Sequence, residues 1–186
     1  MKTLDYRKVS DAVRSATREV FSMMIGLEVE PEAAYEEKNS TGTVDGVVAL
    51  IGLAGQWVGG GILQCDVPLA RKLYSSLLMT ECDVANDGVN EEVLDAVAEI
   101  ANMIIGNVKN EVERDLGTIG MGIPSVVFGR NFTTRNAGTN WIVNPFVCDG
   151  GHLWVKFCLA PPASTGGGAA ELLGRESIRA KHHVTA

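Results

Sequence analysis

The apolar positions of this chain follow two rhythms that alternate in blocks. From residue 4 to 25, Tyr6, Val9, Val13, Ala16, Val20 and Met24 recur every three or four residues, the spacing of an amphipathic helix, and Gly26 is placed to end it. Three strand candidates follow: Leu27 to Lys38, Gly42 to Leu53 after the turn-like NSTG, and Trp57 to Asp66 after a short loop. Together they predict an antiparallel meander. Asp66 then suits the cap of a short helix starting at Val67 and Pro68 and running to Met79, because its carboxylate accepts from free backbone amides and proline tolerates the first turn.

After the polar break ECDVANDG comes the longest periodic stretch, Val89 to Asp115. Asn90 is placed to cap it, and Glu91 and Glu92 complement the positive end of the helix dipole. Val93, Leu94, Val97, Ile100, Ala101, Ile104, Ile105, Val108 and Val112 gather on one broad face. Gly120, Gly122 and Pro124 mark a tightly turning backbone, followed by strands at Ser125 to Arg130, Trp141 to Cys148 and His152 to Ala160. The order of helix, three strands, two helices, three strands lacks a strand-helix alternation. It predicts an α+β fold in which a largely antiparallel six-stranded sheet packs against three helices.

The polar side of the long helix changes this picture from architecture to chemistry. Asp95, Glu99 and Asn102 are spaced by four and then three residues, which stacks them along one stripe with Glu99 and Asn102 about 4.5 Å apart along the axis; Gly106 continues it. A solvated helix face is the plain explanation of a Glu-x-x-Asn pair, and Glu36 and Asn39 repeat the spacing elsewhere. Asn is a poor helix former, however, and Gly costs roughly 1 kcal/mol inside a helix, so a good helix interrupted by both on its exposed side points to a site.

Composition narrows the classes. The 186 residues, 46% hydrophobic and 21% charged, suffice for one domain, 1–160, followed by a flexible Gly-rich tail, 161–186, that opens with PPASTGGGAA. A net charge of -7 argues against nucleic acid or an anionic membrane as partner, since both require a basic footprint. The amino terminus lacks the apolar core of a signal peptide, and no run approaches the roughly 18 apolar residues of a membrane span, so a cytoplasmic protein is expected.

Cofactor motifs are poorly supported. Cys65, Cys82, Cys148 and Cys158 are widely spaced without a C-x-x-C, and only His152, His182 and His183 offer imidazole, so no metal site is expected and each cysteine reads as a small buried residue. A hairpin turn at Asp149, Gly150 and Gly151 would place Cys158 near Val143, far from Cys148 along the hairpin, so a disulfide between them would need a different register. Gly59, Gly60 and Gly61 resemble a phosphate loop only superficially, because no Gly-Lys-Ser or Gly-Lys-Thr and no helix follow; a bulge or close backbone contact fits better. Trp57, Trp141 and Trp154 all fall in strand candidates, where core packing explains them at least as well as an interface does.

The stripe and its setting resemble the signature of the CheC, CheX and FliY phosphatases: an acid or serine, then Glu-x-x-Asn, then a proline some twenty residues on, here Asp95, Glu99, Asn102 and Pro124. The similarity extends over residues 4 to 160, and the single copy of the motif on a helix looks like CheX, the one-site member. The resemblance implies a phosphatase for the aspartyl-phosphate of a CheY-like response-regulator receiver domain, with Mg²⁺ supplied by that partner and with homodimers formed through the sheets. It assigns Asn102 the orientation of the attacking water and Glu99 the contact to a receiver lysine. Asp95 either extends the docking surface or is solvated, Gly106 leaves room for a partner's backbone or is a helix irregularity, and Pro124 is structural. A noncatalytic receiver-binding module of a signalling or motor complex is the alternative. An independent metallohydrolase is disfavoured because no histidine lies near the stripe.

Overall fold

The structure is a computed structural model that describes residues 4–38, 41–82, 88–135 and 140–162. Helix α1, Tyr6–Val20, starts where the Asp5 carboxylate accepts from the Arg7 amide at 2.9 Å, and runs into one π-helical turn, Phe21–Ile25, closed by Gly26 in the left-handed region at φ 72°. Helix α2 spans Val67–Leu78, with the Asp66 carboxylate accepting from the Leu69 amide at 2.8 Å. Helix α3 spans Glu91–Leu116, and its Asn90 cap accepts from the Val93 amide at 3.0 Å. All three helices match the expected segments to within a few residues, because each start carries a side chain that satisfies an otherwise orphaned amide.

Eight antiparallel strands form the sheet: β1 (Glu30–Pro31), β2 (Tyr35–Lys38), β3 (Thr41–Gly55), β4 (Val58–Cys65), β5 (Ile119–Met121), β6 (Ser125–Arg135), β7 (Asn140–Cys148) and β8 (Gly151–Ala160). The path across it is β1, β7, β8, β4, β3, β5, with β2 also on β7 and β6 also on β3. The expected six strands become eight because two edge ribbons are each broken. At one edge, Pro31 and Pro145 both lack an amide to donate, and the chain slips so that four steps from Pro31 to Tyr35 match three from Phe146 to Val143. At the other, β5 is a short strand that its own residues, Ile-Gly-Met, do not announce.

The meander is corrected as well. The first strand segment does not pair with β3; β1 and β2 cross to β7, and of the expected meander β3 and β4 alone pair as a hairpin. Alternation specifies which face of a strand is buried but not which neighbour it takes. Val143 faces Lys156 in the ladder, two residues short of Cys158, and none of the four cysteines is in a disulfide. Burial pushes the Cys65 thiol up. The last strand ends at Ala160, and the expected tail lies outside the described residues from residue 163 onward.

The helices cover one face of the sheet. There Val13, Phe21, Leu63, Leu73, Ile100, Ile104, Ile105, Phe146 and Phe157 are buried together with Trp57. A smaller cluster of Val44, Val48, Ile62, Trp141, Val143 and Cys158 lies on the opposite face, with Trp154 packed against it. The three adjacent glycines of β4 keep their ladder pairing; a Cβ on Gly61 would stand 2.6 Å from Ile105 Cγ1, so the bare backbone admits α3. Gly61→Ala should therefore lower stability by about 1–3 kcal/mol through overpacking. Gly106→Ala, whose methyl would meet only Met121 at 3.6 Å, should be neutral or stabilising by up to about 1 kcal/mol. Urea unfolding midpoints check both, and an unchanged midpoint for Gly61→Ala would contradict the close packing.

Candidate functional site

Burying one face of α3 dictates what the other face presents. Val93, Val97, Ile100, Ala101, Ile104, Ile105, Val108 and Val112 are all buried, so the helix cannot rotate without exposing them. Asp95 and Glu99 are thereby held in solvent, while Asn102 and Gly106 are half-buried on the same stripe. Among the described residues, the side chains of Asp95, Glu99 and Asn102 make no hydrogen bond or ion pair. The helix is unbroken through Gly106. The other Glu-x-x-Asn copy differs: Glu36 lies on strand β2 opposite Ile142, and Asn39 is outside the described residues.

Neighbouring elements fix the position of the stripe. At its start, the Tyr74 hydroxyl of α2 donates to the Glu92 carboxylate at 2.8 Å, and this bond holds the phenolic proton and raises the tyrosine pKa. At its end, the Glu113 carboxylate accepts from the Ile119 amide at 2.6 Å and from Lys109 Nζ at 2.8 Å. These two donors hold Glu113 below the usual carboxylate range, the backbone amide contributing most. Sequence reasoning missed this tie and the strand it starts; Glu113 reads as one more surface acid, and only the proximity of Ile119 gives it a role.

From Ile119 the chain runs beside α3 towards the centre of the stripe. Met121 Cε lies 3.6 Å from where a Gly106 Cβ would be. Leu53 opposes Met121 and Leu50 opposes Ser125, so Gly122, Ile123 and Pro124 face only Ile51 and Gly52, a one-residue bulge pinned by the Gly122 amide donating to Gly52 O at 2.9 Å. Pro124 sits in this bulge, half-buried, where a residue without an amide leaves no ladder donor unpaired. The structure thus sets Met121, three residues before Pro124, against the Gly106 end of the stripe. Asp95 stands one turn beyond Glu99, at the outer end of the stripe.

The stripe offers two carboxylates and an amide. Among the described residues, no group of three or more His, Cys, Asp or Glu side chains is placed to hold a metal ion, and no helix is long and apolar enough to cross a membrane. An exposed carboxylate with no cation beside it among the described residues suits a cation brought by a partner, and a neutral amide suits water and a phosphoryl oxygen together.

A family model described as chemotaxis phosphatase CheX matches residues 47–147, more than half of the chain. The chain belongs to the CheX family. The family match contains Asp95, Glu99, Asn102, Gly106 and Pro124, as well as the whole of α3. Crystal structures of CheX from Desulfovibrio desulfuricans (27% identical, TM-score 0.71) and from Vibrio vulnificus (27% identical, TM-score 0.70) are each similar over 82% of this chain and 99% of their own. A CheX-CheY-BeF3-Mg²⁺ complex from Borrelia burgdorferi contains a chain 24% identical with TM-score 0.62, covering 84% of this chain and 99% of that one, a likeness of fold. No curated protein matches the sequence.

The Glu113 tie generates a pH prediction for this CheX-family fold. A carboxylate with a lowered folded pKa stabilises the fold while ionised, so its contribution is present at neutral pH and is lost as the pH falls below about 4. Glu113→Ala should speed hydrogen exchange of the Ile119 amide at neutral pH while leaving the Val126 amide unchanged. Wild-type Ile119 should lose the same protection on acidification. NMR exchange rates at both pH values check this, and equal Ile119 rates in wild type and variant would refute it.

Proposed function

We propose that the chain removes phosphate from the aspartyl-phosphate of a CheY-like receiver domain, with the partner supplying the Mg²⁺. The observation that carries this reading is the pair Glu99 and Asn102, held a single helical turn apart on a rigid, half-open stripe with no side-chain partners among the described residues. Membership of the CheX family supports it, and so does the Borrelia burgdorferi complex, in which a related chain stands with CheY and Mg²⁺.

The roles follow from charge. A carboxylate is repelled by the phosphoryl group, so Glu99 pairs with a lysine on the receiver and fixes its orientation. The Asn102 amide accepts a hydrogen bond from water through its oxygen and donates through its nitrogen to a phosphoryl oxygen. That places the water in line with the phosphorus. The new P–O bond forms from water as the bond to the aspartate oxygen breaks, and inorganic phosphate leaves. Such catalysis consists of positioning more than acid or base chemistry, so an amide is sufficient. Asp95 adds charge at the docking edge. Two copies associating through their sheets are also proposed, supported by the exposed Val127 and Phe128 of β6, which among the described residues pairs only with β3.

Asn102→Ala should leave folding and receiver binding nearly intact and lower the acceleration of dephosphorylation by on the order of 10². Glu99→Lys should weaken receiver binding about tenfold or more. A phosphate-release screen against candidate phosphorylated receivers measures both. Receiver binding with no shortening of the phosphate lifetime would leave a docking role and remove the catalytic one.

A further inference from the structure

We propose that Ile123 is an apolar anchor for the receiver, presented beside the Glu99 and Asn102 pair by the bulge between β5 and β6. This rests on the receiver-phosphatase reading and adds a contact to it. Ile123 is 89% exposed between β5 and β6, although a large apolar side chain is normally covered. Without the extra residue, the β5 pairing of Leu53 with Met121 would continue to put Ile123 opposite Ile51, which is 2% exposed on the helix-covered face. The bulge lifts Ile123 out of that covered position, as bulges beside active sites re-aim a side chain.

Position along α3 supplies the second argument. Ile119 is bonded to Glu113 and Met121 lies against Gly106, so the chain advances towards the amino end of the helix as its residue number rises. Two residues of extended chain cover about 6.6 Å. At 1.5 Å per residue that is about four helical positions, which brings Ile123 level with Asn102. Met121, half-buried, forms the base of this apolar shoulder.

The occupant follows from continuity. Whatever surface places a phosphoryl group over Asn102 and a cation against Glu99 must pass over the adjoining bulge. An apolar side chain there excludes water from the rim of the contact and is buried only in the complex, which is how an anchor beside a polar pair adds affinity. The receiver should therefore carry an apolar patch next to its phosphorylation site, on the side that meets the bulge. Ile123 has no group that acts on phosphorus, so its contribution is to docking and not to the chemical step.

Steady-state dephosphorylation of one responsive receiver, by wild type and by Ile123→Ser, Ile123→Leu and Asn102→Ala, tests this, with thermal unfolding as the control for folding. Ile123→Ser should raise KM about tenfold with kcat within about twofold, and Ile123→Leu should restore KM. Asn102→Ala should do the opposite, lowering kcat with KM nearly unchanged. If wild type accelerates dephosphorylation and Asn102→Ala abolishes it while Ile123→Ser keeps the wild-type KM, the anchor is overturned and the phosphatase reading stands. If wild type accelerates dephosphorylation of no receiver in the screen, both fall together.

Discussion

The contact of α3 with the sheet is the constraint on which the rest of this structure depends. Ile105 descends onto Gly61, where a side chain would collide with it, and the neighbouring apolar positions of α3 bury completely around that contact. A helix packed this closely has one rotational setting, because interiors tolerate neither voids nor overlap. The orientation of Asp95, Glu99, Asn102 and Gly106 is therefore a consequence of core packing. A functional constellation on a helix so fixed is held more precisely than one on a loop.

The second constraint is the path of the chain after α3. The helix ends at Leu116, and the Glu113 carboxylate captures the Ile119 amide so that β5 starts alongside the helix instead of leaving it. The bulge that follows converts one residue of extra length into an outward-facing side chain and a sheltered proline. These two local devices shape the side wall of the stripe, and neither touches Glu99 or Asn102 directly.

A site of this kind is half complete. It contributes an amide and a carboxylate on a rigid frame, and the proposed reaction takes its phosphoryl group, metal ion and cation from the receiver. In the proposed complex, specificity would reside in how many independent contacts must be made at once: the Glu99 charge pair, the water oriented by Asn102 and the apolar contact at the bulge. Requiring all three at once discriminates between partners that would satisfy any one of them.

The sequence by itself determined the three helices, the faces they bury and the stripe, because helical periodicity and capping are written in residues three to four positions apart. The α+β class and the Glu99 and Asn102 pair were legible for that reason, and the same motif spacing carried the resemblance to the CheX family. The partners of β1 and β2, the existence of β5, the capture of Ile119 by Glu113 and the exposure of Ile123 were decided only in the tertiary structure. Each depends on residues far apart in the chain, such as Pro31 with Phe146 or Leu50 with Ser125, whose proximity follows from how the sheet closes. Alternation gives every strand a buried side but no address, and a one-residue bulge turns a side chain from that buried side to solvent without changing the local pattern.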